Sequence, residues 1–197
     1  MGIKGIIFDL DGTIVDVTYD WNRINAELGT QGVPILTYLS TLEEPEKSRK
    51  WRILEKYENE ATEKARLKRG IKGFLRFLDQ MGLKKALVSN NSRANVEFLL
   101  QKFGLEFDCV ISRESGLWKP SGAPFLEVMK KFGLKPEECA VVGDSHFDVR
   151  AAGEAGIERV LLLVQDKEKL TGTAAEVFPS VESLEQRIDQ LLDLGKG

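Results

Sequence analysis

Apolar residues fall along this chain in two rhythms: short unbroken runs, and longer stretches where they recur every three or four positions. The unbroken runs are Ile6-Ile7-Phe8, Lys85 to Ser89, Phe107 to Ser112, Ala140 to Gly143 and Val160 to Val164, with a short piece around Val177 and Phe178. Runs of this kind suit strands buried on both faces, as in the interior of a parallel sheet. Helical patterns lie between them. Phe74 to Met81 closes at Gly82, and Ser92 caps a helix through Val96, Leu99, Leu100 and Phe103 that stops at Gly104. Pro124 opens a helix ending at Gly133, Asp148 to Ala155 is stopped by Gly156, and a last helix runs from about Val181 to Leu194. Strand alternating with helix predicts an α/β fold, a parallel sheet flanked by helices on both faces.

One block breaks the alternation. Trp21, Ile24 and Leu28 recur at helical spacing, then Gly29 and Gly32 interrupt. Pro34 opens a second pattern with Ile35, Leu36, Leu39 and Leu42, and Pro45 a third that runs to about Lys68 through Trp51, Leu54, Tyr57, Ala61 and Ala65. Gly70 and Gly73 follow as hinges. The pattern predicts a small all-helical domain, residues 15–70, inserted after the first strand into a core made of residues 1–14 and 71–197. Its basic residues, from Lys47 to Arg69, are interleaved with Glu and read as a solvated helix face.

Composition narrows the partners without choosing a chemistry. With 197 residues, 42% of them hydrophobic, the chain can bury a sizeable core, and a formal net charge of −3 marks no nucleic-acid or anionic-membrane binder. Val160 to Val164 is too short to span a bilayer and the first residues show no secretory signal, so the cytoplasm is expected. Cys109 and Cys139 are far apart and flanked by apolar runs, which predicts buried free thiols.

The chemistry begins where the first run stops at acid. Asp9 and Asp11 leave the carboxyl end of that strand two residues apart, where open α/β sheets place their ligands. Two carboxylates held so close call for a cation between them, and a hard divalent ion such as Mg2+ suits oxygen ligands. Asp11-Gly12 between apolar residues is equally a hairpin signal, with Ile14-Val15 as the returning strand. The other strand ends decide between these readings. Parallel strands would bring Ser89 and Asn90, then Gly143, Asp144, Ser145 and Asp148, to the same edge, with Lys119-Pro120 in a loop beside them. A hairpin predicts none of that convergence.

Phosphoryl transfer explains this inventory best. Neither a G-x-x-x-x-G-K-[ST] loop nor a G-x-G-x-x-G turn is present, so no nucleotide cradle of those types is available and a side chain must do the chemistry. A carboxylate can attack phosphorus if cations such as Mg2+ and Lys119 cancel the repulsion. A second carboxyl can protonate the departing alkoxide and later deprotonate water.

Four motifs in order, Asp9-Leu10-Asp11-Gly12-Thr13, Ser89-Asn90-Asn91, Lys119-Pro120 and Gly143-Asp144-Ser145-His146-Phe147-Asp148, make the chain resemble the haloacid dehalogenase superfamily over nearly its whole length. The resemblance implies a Rossmann-like core, Asp9 as nucleophile, Asp11 as general acid and base, and Lys119 stabilising nucleophile and phosphate. Ser89 would bind the phosphoryl oxygens, with Leu10, Gly12, Thr13 and Asn90 completing the phosphate site. Mg2+ would be held by Asp9, the Asp11 carbonyl and Asp144, with Asp148 as ligand or close support. The helical insert resembles the cap of the phosphoglycolate phosphatase and β-phosphoglucomutase branch. Within the superfamily, Asp11 favours phosphate ester hydrolysis or phosphomutase transfer over dehalogenation, and Thr13 favours the phosphatase.

The resulting expectation is a Mg2+-dependent phosphatase of small phosphorylated metabolites, monomer or homodimer, with no nucleic-acid or membrane partner. A phosphomutase is the nearest alternative. A receiver-like signalling domain is disfavoured, because such domains carry no helical insert after the first strand. On the insert, Arg23 is the cation expected to read an acid group of the substrate. His146 is expected at the mouth of the site, Asp11 already filling the role of acid.

Overall fold

The computed structural model describes residues 2–164 and 175–193. Six parallel strands form one sheet. They are β1 (Gly5–Phe8), β4 (Lys84–Val88), β5 (Cys109–Ile111), β6 (Cys139–Gly143), β7 (Arg159–Leu163) and β8 (Glu176–Phe178), in the spatial order β5-β4-β1-β6-β7-β8. β1 lies between β4 and β6 and every residue in it is buried. Alternation along β1 splits its side chains between two cores. Ile6 and Phe8 pack with α4 (Ile71–Gln80), α5 (Arg93–Phe103) and α8 (Val181–Asp193) on one face. Ile7 packs with α6 (Ala123–Phe132) and α7 (His146–Glu154) on the other. The chain is thus the expected α/β sandwich. Cys109 and Cys139 are buried and free, as expected. Among the described residues no helix is long and apolar enough to cross a membrane.

The insert contains α1 (Trp21–Leu28), α2 (Ile35–Ser40) and α3 (Glu46–Lys64) around a small core of Ile24, Leu28, Leu36, Leu39 and Leu54. Asp20 caps α1 by accepting from the Arg23 amide at 3.0 Å. Buried Lys50 closes the other end of α1 by donating to the Leu28 carbonyl, and its Nζ also reaches the Tyr38 hydroxyl at 2.9 Å.

Several expected boundaries move. The third helix stops at Lys64 instead of Lys68, because Arg66–Leu67 forms a strand (β3) antiparallel to Val15–Asp16 (β2). This two-stranded stem joins insert to core and has no sequence signal, being too short for alternation to show. Gly73 is not a hinge, since it lies inside α4, whereas Gly70 precedes that helix at φ 86°. The helix expected from Asp148 begins at His146, because the Asp148 carboxylate accepts from the Ser145 amide at 3.1 Å and closes its first turn. The last helix is described to Asp193, and Leu194 lies outside the described residues.

Candidate active site

The chain does not turn back on itself after β1. The Leu10 carbonyl accepts from the amides of Ile14 at 2.9 Å and Val15 at 3.0 Å, so residues 10–15 curl into a compact loop that leads to β2. Asp9 stays in register with the sheet, its amide donating to the Val142 carbonyl at 2.9 Å. Gly12 is obligatory in this loop. Its φ is 86°, and a Cβ there would stand 1.9 Å from Asp144 Oδ2. The close approach brings the end of β1 against the end of β6.

Lys119 joins the acids. Its Nζ, with the side chain only 3% exposed, lies 2.7 Å from Asp9 Oδ1 and 2.6 Å from Asp148 Oδ1. Asn90 holds the lysine's backbone at both ends: its Nδ2 donates to the Lys119 carbonyl at 2.8 Å and its Oδ1 accepts from the Lys119 amide at 2.9 Å. The second Asp148 oxygen accepts from the Ser145 hydroxyl at 2.9 Å. Gly143 makes room for that carboxylate, since a Cβ there would meet Asp148 Cγ at 2.4 Å.

Asn91, named above only as the end of the second motif, had no role assigned to it from the sequence. It is buried, its Nδ2 donates to Asp11 Oδ2 at 3.0 Å and lies 3.4 Å from the Tyr19 hydroxyl, and its Oδ1 accepts from Asn95 at 3.0 Å. The signal available for it was its place in the polar run that ends β4. Asp11 Oδ1 is buried with no hydrogen-bond partner, which leaves one acceptor of this carboxyl unsatisfied.

Burial dominates the electrostatics. It pushes the Asp9 carboxyl well above its ordinary range against the pull of Lys119, and Asp148 and Asp144 push the same way. Asp11 rises to about 6 through burial, with the Asn91 hydrogen bond opposing. Asp144 rises to about 7 through burial and the neighbouring Asp148 charge. For Lys119 burial works against the charge, but Asp148 and Asp9 outweigh it and hold the ammonium protonated beyond its ordinary range. A cluster in which carboxyls resist ionisation together lacks positive charge, which a bound cation would supply.

Asp9, Asp144 and Asp148 each offer an oxygen within 4.8 Å of the others, so the buried cluster can hold a metal ion. Asp148 is the least free of the three, both its oxygens already accepting from Lys119 and Ser145, and it acts as a brace. The Asp11 carboxylate lies outside this group and faces Asn91.

These residues open into a cavity of about 1020 Å³ between the sheet edge and the insert. Asp9, Asp11, Gly12, Ser89, Asn90, Lys119 and Asp144 line it, as does His146, which stands exposed at the start of α7 and not in a loop. Leu10, Thr13 and Arg23 do not line it. Leu10 points into the core and is fully buried, so only its backbone remains for a ligand. Thr13 is likewise buried, its hydroxyl unpartnered. The Asn90 side chain is engaged with Lys119, so it positions the lysine and leaves substrate contact to its backbone. Arg23 corrects the expectation made for it: its guanidinium lies 5.7 Å from the centre of the Tyr57 ring, exposed to solvent. The cause is helix phase. Trp21 and Asn25, four apart on α1, face the cavity, and Arg23 stands two positions from each, on the opposite side.

The haloacid dehalogenase-like hydrolase family model matches residues 3–156. A phosphoglycolate phosphatase of Pseudomonas syringae is 31% identical over 187 residues, covering 81% of this chain and 69% of that protein. A solved structure of a predicted phosphoglycolate phosphatase from Haemophilus somnus superposes with a TM-score of 0.69 at 26% identity, covering 94% of this chain and 97% of the other. A Thermotoga maritima structure assigned as a β-phosphoglucomutase shares the fold, with a TM-score of 0.71 at 24% identity over 96% of this chain and 100% of that one. The chain belongs to the haloacid dehalogenase-like hydrolase family and stands, as an enzyme, with its phosphoric monoester hydrolases.

Proposed function

We propose that this hydrolase is a Mg2+-dependent phosphatase of small phosphorylated metabolites that works through an aspartyl-phosphate on Asp9. One observation carries the reading: Lys119 Nζ lies 2.7 Å from one Asp9 oxygen at the floor of the cavity, with the second acid, Asp11, two residues on and tuned differently. With Oδ1 held by Lys119, the other Asp9 oxygen attacks phosphorus and the bond to the ester oxygen breaks. Asp11, its carboxyl raised to about 6, gives its proton to the leaving alkoxide. It then takes a proton from the water that attacks the phosphoryl group, and the bond to Asp9 breaks to release phosphate. Asn91 holds Asp11 in place between the two steps, its Nδ2 also lying beside the Tyr19 hydroxyl.

Asp9, the Asp11 carbonyl and Asp144 would hold the Mg2+, with Asp148 bracing Lys119 beside them. Bound there, the ion would neutralise the acids and the incoming phosphate, keeping Asp9 ionised for attack. Residues 15–70 act in this reading as a cap on the β2–β3 stem, closing over the phosphate to exclude water and opening to release product.

The direct test is turnover of p-nitrophenyl phosphate with Mg2+. Hydrolysis abolished by chelation and by Asp9→Asn is the expected outcome. A cleanly folded protein with no turnover across pH and divalent metals would overturn the reading.

A further inference from the structure

What alcohol the phosphate is attached to is written in the wall that the insert turns toward the site. That wall is built around Tyr19, Trp21, Val33, Ile35, Leu54 and Glu58. Residues 15–70 are all described, and none of their lysines or arginines lines the cavity. Arg23 points away over Tyr57, and Lys50 is held by the Leu28 carbonyl and the Tyr38 hydroxyl. The one acid on the wall is also closed. Both Glu58 oxygens accept from Arg113 Nη1 at 2.8 Å, and the pair is buried.

The insert therefore offers neither a cation for a second anionic group nor a free carboxylate for an amine. Apart from Thr18, Asn25 and the Tyr19 hydroxyl, what it offers is apolar. Trp21 is 48% exposed and Val33 42%, while the Tyr19 and Trp21 rings stack at 4.5 Å and 29°, giving the cavity a flat aromatic side. Large apolar groups left open inside a concave site are the ordinary means of holding a ring. On the core side, Arg150 and His146 line the cavity; Arg150 is exposed and only its Nε is paired, with Glu154 at 3.2 Å, so the one lysine or arginine besides Lys119 in the lining stands across from the insert's wall.

We infer that the preferred substrate is a phosphomonoester whose alcohol carries a neutral, flat, apolar ring seated against Trp21, in place of one carrying a second anionic group. The inference rests on the phosphatase reading above. It also separates this chain from relatives named for phosphoglycolate, whose alcohol portion bears a carboxylate. Seated against the insert, such a carboxylate would meet hydrocarbon and the closed Glu58 and find no cation on that wall.

Three esters test it: benzyl phosphate, ethyl phosphate and 2-phosphoglycolate, compared by phosphate release with Mg2+. Benzyl and ethyl alcohols are similar leaving groups, so their ratio reports the ring. The expected kcat/KM for benzyl phosphate exceeds each of the others by roughly tenfold or more. Trp21→Ala removes a half-exposed side chain, keeps the fold, and brings the benzyl-to-ethyl ratio to within about threefold of unity. A benzyl-to-ethyl ratio near one in the wild type overturns the inference, as does a Trp21→Ala loss equal for both esters. Preference for 2-phosphoglycolate that disappears in Arg150→Ala overturns it in favour of the core-side cation. Dissociation constants measured calorimetrically on Asp9→Asn separate the two levels of the reading. Tighter binding of benzyl phosphate than of 2-phosphoglycolate supports the ring site even if the wild type turns over neither ester, in which case it is hydrolysis that fails. The reverse order of binding overturns the ring site even where hydrolysis stands.

Discussion

The two walls of the cavity are built by opposite means. On the core side most of the functional side chains are held by another: Lys119 by Asp9 and Asp148, its backbone by Asn90, Asp11 by Asn91, Asp148 by Ser145. On the insert side the lining groups are largely hydrocarbon, and Trp21 and Val33 stand open to the cavity. Charged groups brought out of water must be paired at fixed distances, so the core wall tolerates few substitutions. An apolar wall asks only for shape and area, so it can change while the chemistry stays. On the proposed function, one wall fixes the reaction and the other selects what is offered to it.

That contrast breaks first at Lys119. Replacing it with Met leaves Asp9 and Asp148 buried without a counter-charge, and the expected loss is about 3–5 kcal/mol of stability together with ~10³-fold or more in kcat. Denaturant unfolding and steady-state kinetics measure both. A Lys119→Met protein with near-native turnover would show that the ammonium does not serve the phosphoryl group.

Next is the joint between the walls. The Glu58–Arg113 pair ties α3 of the insert to the core loop after β5, and Arg113 also lies over the Trp51 ring, 4.8 Å from its centre. Burial raises the Glu58 carboxyl while Arg113 pulls it down. Glu58→Ala strands a buried guanidinium and should cost about 3 kcal/mol, whereas the double change Glu58→Leu with Arg113→Met should recover most of it. Thermal unfolding of the three variants decides; equal losses in single and double variants would mean that the pair itself is not what matters.

The acid cluster sharpens the comparison through pH. Asp9, Asp11 and Asp144 all have folded values above the ordinary 3.8, with Asp11 at about 6 and Asp144 at about 7. The folded protein therefore holds protons that the unfolded chain releases, and this contribution to stability is lost as pH rises from about 4 through about 7. Without metal, Tm should fall between about pH 5 and pH 8, and Mg2+ should raise Tm more at pH 8 than at pH 5. A shift of equal size at both pH values would place the ion somewhere other than these acids.

The smallest effect is expected at Arg23, which sits on the far side of α1. Arg23→Ala should leave kcat/KM within about twofold on any substrate and change stability by less than about 1 kcal/mol, the Tyr57 contact being exposed. A larger fall in kcat/KM would return the residue to the cavity.

Most of the core wall was legible in the sequence. Strand ends in a parallel sheet share one edge, so a list of polar residues at those ends is already a list of neighbours. Asp9, Ser89 and Asp144 follow from that rule, and Lys119 lies in the adjoining loop. The roles of Asn90 and Asn91 were not legible, because a side-chain amide shows its partner only after the chain brings one, and here the partners lie 29 and 80 residues away. The β2–β3 stem escaped because two residues carry no period.

By itself, then, the sequence determined the alternating layers, the inserted helices, and which acids meet at the edge of the sheet. These rest on local periodicity and on a topological rule that needs no coordinates. The tertiary structure alone decided which face of α1 looks inward, turning Trp21 to the cavity and Arg23 away from it. It also decided which buried polar groups are paired and which, like Asp11 Oδ1, are left without a partner. Helix phase relative to a distant surface, and the pairing of groups far apart in the chain, are properties of packing, and packing is set by the whole molecule at once.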